Sequence, residues 1–392
     1  MKLNCLIISL LFVICAAWPV KGQEENDVVV GAARVDQYEP ILRGKRIGLL
    51  SNHTGTVGER HVLDIMLEND LNVATIFSPE HGFRGSADAG EHVSSSVDPI
   101  TGISITSLYG PGSADRMKQA MGGIDVIVCD IQDVGLRFYT YYCTMLQLMN
   151  AAAENGKEFV VFDRPNPNGM YVDGPILDMK YESGVGRLPI PVVHGMTLGE
   201  LAQMILGEHW LKDNRSLHLT VIPCLNYTHA TRYRLPVAPS PNLRTMRAIY
   251  FYPSICLFEG TVASLGRGTE MPFEVYGHPD YRGGEFTFTP QSVPGAKNPP
   301  LLGQLCHGVD LRTIDEEAAI AGGLDLTYII DAYNRVGMGD KFFTSFFEKL
   351  IGRAEIRQMI EQGLSAEQIR ATWAEDVEQF KNQRRPYLLY AE

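Results

Sequence analysis

The chain carries no signature of a phosphate cradle. No G-x-G-x-x-G follows its first strand-like run and no G-x-x-x-x-G-K-[ST] occurs, so a nucleotide cofactor would find no glycine loop. G-x-S-x-G is missing, which argues against a serine-hydrolase elbow. So are His-x-x-x-His and cysteine pairs at zinc spacing, and neither a metal nor any other cofactor is implied. Basic residues are scarce: 34 Lys and Arg stand against 46 Asp and Glu, and a net charge of −12 disfavours nucleic acid or an anionic membrane as partner. There is no internal repeat. With 16 Phe and 17 Tyr there is also no compositional reason for disorder. A small neutral or weakly charged ligand remains the default.

Long apolar runs are confined to the N-terminus. Met1-Lys2-Leu3-Asn4 precedes 13 residues, Cys5 to Ala17, with one Ser and no charge. That run is short for a bilayer span and fits the apolar part of a secretory leader over residues 1–22. The reading is an exported protein, periplasmic or extracellular, with no membrane span in the mature chain. Bulky Ile14 before Cys15 argues against a lipoprotein anchor. Removal of the leader takes two of the seven cysteines and leaves five at spacings that form no disulfide framework.

From Arg46 to Asp163, short apolar runs alternate with helical patterns. RIGLLS (46–51), NVATIF (72–77), DVIVC (125–129) and EFVVF (158–162) are continuously apolar, as strands covered on both faces are. Helices are expected over 61–69, 113–121, 139–155 and 197–210, the last with Thr197 as N-cap and Glu200 as its capping-box partner. A further strand is expected at 217–223. Strands alternating with helices imply right-handed crossovers and a doubly wound, mainly parallel sheet of Rossmann type. After about residue 235, Gly and Pro become dense and the pattern irregular. One alternating strand (EFTFT, 285–289) and helices over 324–335, 341–351 and 365–382 remain. The expected organisation is an α/β catalytic domain over 23–235 and a smaller α+β domain over 236–392, with a cleft between them.

In an open α/β sheet, ligands bind outside the carboxyl ends of the strands. Here those ends run into Ser51-Asn52-His53-Thr54-Gly55, Ser78-Pro79-Glu80-His81-Gly82, Asp130-Ile131-Gln132-Asp133 and Asp163-Arg164-Pro165-Asn166. Turns need Asn, Asp, Gly and Pro, but Glu80, His81, Gln132, Arg137 and Arg164 exceed that need and mark one rim as a site. Pro79 and Gly82 would hold the Glu80 carboxyl rigidly, and a desolvated carboxyl can serve as general acid. A turn-capping Glu80, an Asp130 or Asp133 that caps the next helix, and an Asp163 that pairs with Arg164 are the competing structural readings. The second half adds Asn242 in PSPN, then Glu259, Arg267, Thr269 and Glu274 in Gly-rich loops suited to a lid.

SNHTG, SPEHGFRG, DIQDVGLRFYTY, DRPNP, HGMTLGE, PSPN, FEGTVASLGRGT and PFE, in this order, resemble the exo-β-N-acetylmuramidases, bacterial glycosidases of peptidoglycan turnover. The likeness runs from about Arg43 to Tyr387–Tyr390. It implies a Rossmann-like domain, a smaller second domain and release of terminal N-acetylmuramic acid from the non-reducing ends of muropeptides or glycan chains. It places catalysis at Glu80; His81 would orient a carboxylate or sugar hydroxyl, and Asp130 and Asp133 are candidates for the base or nucleophile. Glu259 and Glu274 are further candidates for the second carboxyl group. Asn52, Gln132, Tyr139, Asp163, Asn166, His194, Asn242 and Thr269 are read as substrate-binding. Arg137, Arg164 and Arg267 are candidate partners of the lactyl carboxylate; Arg267 is favoured, and the other two are expected to hold Asp133 and Asp163. Two departures from the family pattern, Leu243-Arg244 after PSPN and Gly277-His278-Pro279-Asp280, bear on the pocket wall. A non-catalytic carbohydrate-binding protein and a metal-dependent cell-wall hydrolase are the rival readings.

Overall fold

The computed structural model describes residues 28–79, 82–83, 96–108 and 112–392. The leader expected over 1–22 lies outside the described residues, as do Glu80 and His81. The main sheet has seven strands: β1 (Arg46–Ser51), β2 (Asn72–Ser78), β3 (Ser96–Val97), β4 (Ser104–Ser107), β5 (Val126–Asp130), β6 (Glu158–Phe162) and β7 (Leu219–Ile222). Their spatial order is β3-β4-β2-β1-β5-β6-β7, and every pairing except β3 with β4 is parallel. The chain therefore winds outward from β1 through β2 to β4 and then returns to β5 on β1's other side. That reversal between β1 and β5 is the topological switch point of a Rossmann-type sheet.

The two-sided burial expected of the apolar runs is visible residue by residue. Val126 and Val128 of β5 join a cluster with Tyr38, Leu42, Val62 and Met66. Those four belong to α1 (Val35–Leu42) and α2 (Val62–Glu68) on one face. Ile127 and Cys129 of the same strand point the other way, into a cluster built with α4 (Tyr141–Glu154) and α5 (Leu198–Gly207). The period of two along the strand sends alternate side chains to opposite layers. The second cluster continues through Leu257, Phe258, Phe342 and Trp373, so both halves of the chain share one core. The five cysteines from Cys129 onward are buried and free.

The Thr197/Glu200 capping box forms as expected, and α3 occupies Ser113–Met121. Elsewhere the second half corrects the sequence pattern. The helix expected over 365–382 is broken into two, Ala366–Ala371 and Ala374–Arg384. Trp373 leaves the helical path there to bury its ring and donate its indole N–H to Asp173 Oδ1 at 3.0 Å. The helix expected over 341–351 shortens to Phe346–Ile351. The irregular region also contains α6 (Met246–Ile255) and a three-stranded antiparallel sheet of β8 (Val275–His278), β9 (Phe286–Phe288) and β10 (Cys306–Asp310). The small sheet reads as loop because glycines are built into it. A Cβ at Gly308 would stand 1.9 Å from the Tyr276 carbonyl oxygen, so only Gly permits that close approach.

Candidate active site at the carboxyl rim of the sheet

At the switch point Ser51 and Asp130 stand opposite each other as the last residues of β1 and β5. Just beyond them, hydrogen bonds lock the loops together. Asn52 Oδ1 accepts from the Thr54 amide at 3.0 Å and from the Thr54 hydroxyl at 2.6 Å, and Thr54 Oγ1 accepts from the Gln132 amide at 3.0 Å. The Asn52 side-chain amide donates to Tyr141 Oη at 2.8 Å. Tyr141 and Tyr139 then donate to the same Pro239 carbonyl, at 3.2 and 2.8 Å, and His53 Nε2 donates to the Ala238 carbonyl at 2.9 Å. Three rim side chains thus clamp residues 238–239, at the start of the PSPN segment, while Asn242 holds Gly295 O at 2.8 Å. His53 and Tyr141 are not among the residues that sequence reasoning singles out. The Tyr139–Tyr141 alternation in FYTYY is the signal that points to the latter.

The structure sorts the rim's charged groups by partner. Arg164 does not hold Asp163; its Nε and Nη2 bind both oxygens of Asp130, at 2.6 and 2.9 Å, with side chains 2% and 0% exposed. Asp163 instead accepts from Thr197 Oγ1, Tyr390 Oη and the Gly199 amide. It closes the N-terminus of α5, where a carboxylate is favoured. A Cβ at Gly199 would lie 2.7 Å from the Asp163 carboxyl carbon, so the close approach needs glycine. Burial and the nearby Glu200 push Asp163 up to about 6, against those hydrogen bonds. Arg137 does not hold Asp133: wholly buried, it donates to the carbonyls of Pro175, Ile190 and Leu350. Asn166 bridges Met196 O and the Asn168 amide, and Gln132 bridges the carbonyls of Asp133 and Pro165. His194 is buried with its pKa lowered to about 3, chiefly by desolvation, and is neutral, accepting from the Met196 amide on Nδ1.

Asp133 differs from these. Its Oδ1 accepts from the Gly135 amide at 2.7 Å, whereas Oδ2 has no hydrogen-bond partner among the described residues. Burial pushes its pKa from an ordinary 3.8 to about 7, only partly opposed by the amides of Gly135, Val134 and Tyr142. Between those two values the folded state keeps a proton that the unfolded chain has lost, so stability falls as pH rises across the window and is level above it. Asp133→Asn removes that slope. Relative to wild type it gains stability from about pH 4 to pH 7 and no more beyond, as read by urea unfolding at several pH values. A pH-independent difference between the two proteins would return Asp133 to an ordinary pKa.

From the second half, Arg267 directs Nε (3.1 Å) and Nη2 (2.6 Å) at one oxygen of Glu259 and lies over the Phe273 ring, 5.1 Å from its centre. This pair walls two cavities. One of about 550 Å³ extends to Asn298, Pro299 and Phe346; the other, of about 100 Å³, is lined by Tyr139, Tyr141, Ser240 and Tyr252. The other two lid candidates serve the fold: Thr269 closes its own turn onto Gly266 O, and Glu274 accepts from Thr245 Oγ1 beside Arg247. Among the described residues no group of three His, Cys, Asp or Glu side chains is arranged to hold a metal ion. Glu80 and His81 lie outside those residues. Their flanks show the Gly82 amide bonded to Pro79 O at 3.1 Å, directly after β2.

The mainly parallel sheet, with buried carboxylates at its carboxyl rim and an arginine-walled cavity contributed by the second half of the chain, places the protein among α/β proteins with a site at the strand ends. The chain belongs to the exo-β-N-acetylmuramidase NamZ family, whose N-terminal model matches residues 47–247 and whose C-terminal model matches 250–390. It is 40% identical over 372 residues to the peptidoglycan β-N-acetylmuramidase NamZ of Bacillus subtilis, covering 90% of this chain and 89% of that protein. Two DUF1343 family proteins of Bacteroides fragilis have similar crystal structures, each covering 93% of this chain and 99% of their own. One is 57% identical with a TM-score of 0.87, the other 28% identical with a TM-score of 0.79.

Proposed function

We propose that the protein is an exo-β-N-acetylmuramidase of peptidoglycan, releasing N-acetylmuramic acid from non-reducing ends. The observation that carries this reading is the Glu259–Arg267 wall, an arginine presented to a cavity at the lid. Among the described residues both of its side-chain bonds go to a single carboxylate oxygen, and its Nη1 has donors for a second acceptor. The lactyl carboxylate of muramic acid is such an acceptor, and N-acetylglucosamine lacks it. Arg267→Ala should therefore lower the preference for a muramic acid glycoside over the matching glucosaminide about ten- to hundredfold, the worth of one charge-assisted hydrogen bond. Wild type and variant are compared by kcat/KM on both chromogenic glycosides. A wild type indifferent to the lactyl group would remove the substrate assignment, and an unchanged ratio in the variant would clear Arg267.

Glu80 is the general acid in this reading, protonating the departing glycosidic oxygen. In sequence it follows Pro79, directly after β2, and its motif is among those that carry the family likeness. Of the four candidates for the second carboxyl group, Asp130 is held by Arg164, Glu274 by Thr245 and Glu259 by Arg267. Asp133 keeps a carboxylate oxygen without a hydrogen bond among the described residues, and its pKa is near neutral. It is the second group proposed here.

Exo action and export belong to the same reading. Intact sacculi should release almost no soluble sugar until another enzyme creates muramic acid ends, and rapid solubilisation of untreated sacculi would indicate endo cleavage. Export is supported by the leader pattern over 1–22 and is checked by sequencing the N-terminus of the secreted protein.

A further inference from the structure

A groove of about 930 Å³ lies along α4 and has no part in the reading so far. It shares Thr140 and Val185 with the small tyrosine-lined cavity, which in turn shares Glu259 and Arg267 with the lid pocket. The three cavities thus form one run from the second-half pocket over the carboxyl rim and down α4 toward the amino edge of the sheet. At the groove's upper end Leu108 donates its amide to Ser78 O at 3.0 Å. Ser78 is the last residue of β2, immediately before Pro79-Glu80. The groove therefore begins beside the carboxyl end of β2.

Its lining is built for a chain of sugars. Thr144, Gln147 and Asn150 recur at three-residue spacing along one half-exposed face of α4; Asn150 is engaged by Leu146 O and the Lys212 amide and Thr144 by Thr140 O, so Gln147 is the amide chiefly presented to the groove. Trp210, half-buried, faces the same space, and its indole combines an apolar plate with one N–H donor. Arg187 and Lys212 line the groove together with Glu154, Glu182, Asp213 and Arg215; Arg215 pairs with Glu154 and Asp213, whereas Arg187 and Lys212 pair with no carboxylate among the described residues. Hydroxyl and amide partners suit sugar hydroxyls and N-acetyl groups, while two separate cations suit a polymer bearing a carboxylate on every second ring. The walls are α3, α4 and the turns at 179–187 and 210–215, which offer no strand edge to which an extended peptide could add.

We infer that this groove binds the leaving-group side of the substrate, the continuing glycan strand, a claim that rests on the proposed muramidase activity. The enzyme then trims one sugar at its lid pocket while holding several more along α4.

The full chain is assayed on a chromogenic muramic acid glycoside and on peptide-free di- and tetrasaccharides with muramic acid at the non-reducing end. A disaccharide bearing the stem peptide completes the series. The expected result is kcat/KM about tenfold higher on the tetrasaccharide than on the disaccharide, the gain of one or two added net hydrogen bonds and a stacked ring. Gln147→Ala and Arg187→Ala, both at surface positions, should each cut that gain about fivefold while leaving the chromogenic glycoside nearly unchanged. Trp210→Ala should abolish it. Equal kcat/KM on both lengths overturns the proposal, as do variants that slow every substrate alike. A gain conferred only by the stem peptide assigns the groove to peptide and overturns it as well. If no muramic acid glycoside turns over, the activity reading falls. The groove is then decided by calorimetry with the tetrasaccharide, supported if the three variants weaken binding and overturned if they do not.

Discussion

Glu80→Gln is expected to leave the protein folded and to lower kcat about 10²–10⁴-fold, the usual worth of general acid–base assistance. The amide matches the carboxyl in size and still accepts a hydrogen bond, but it has no proton of suitable acidity for the departing oxygen. Because the loss is confined to the transition state, KM for the muramic acid glycoside should change far less than kcat. A leaving group that needs no protonation should recover much of the lost rate. Steady-state kinetics on glycosides with leaving groups of graded acidity, with a thermal unfolding curve as control, make the measurement. Activity within about threefold of wild type on the poorest leaving group would take Glu80 out of the mechanism.

Arg164→Met is expected to destabilise the protein by about 3–5 kcal/mol, because it leaves the Asp130 carboxylate buried without its counter-ion. The methionine fills most of the vacated space but replaces three hydrogen bonds, two to Asp130 and one to Thr56 O. Nearly all of that loss should be uncompensated charge rather than lost packing, and a second substitution separates the two. Adding Asp130→Asn to Arg164→Met should recover most of the stability, since a neutral pair of similar volume has no ion to desolvate. Urea unfolding of wild type, single and double variants at pH 7 gives the comparison. A double variant no more stable than the single one would mean that the site is held by shape and not by charge.

Much of the first half is legible in the order of its residues. β1 and β6 fall on the positions expected, and Thr197 caps α5 with Glu200 as its box partner. These features are local: an apolar run covered on both faces, or a hydroxyl three residues before a carboxylate, is written in neighbouring positions. The second half is less legible for an equally physical reason. Glycines at 277 and 308 let backbones approach within the small sheet and erase the side-chain pattern by which strands are recognised. The break at Trp373 depends on Asp173, which lies 200 positions earlier.

The candidate site divides along the same line. Its location follows from the order of apolar and polar segments, because strand ends and the loops after them are set by chain connectivity. So does the family, through motifs at those loops. Which carboxylate keeps a free oxygen is decided only by the fold. Asp130, Asp133 and Asp163 look alike in sequence, each at or just past a strand end. Yet Arg164 claims the first, Tyr390 at 227 positions' remove claims the third, and Asp133 alone of the three is left with an unpartnered oxygen among the described residues. Backbone periodicity is carried by adjacent residues, whereas the pairing of a buried charge depends on side chains that meet only once the chain has closed on itself.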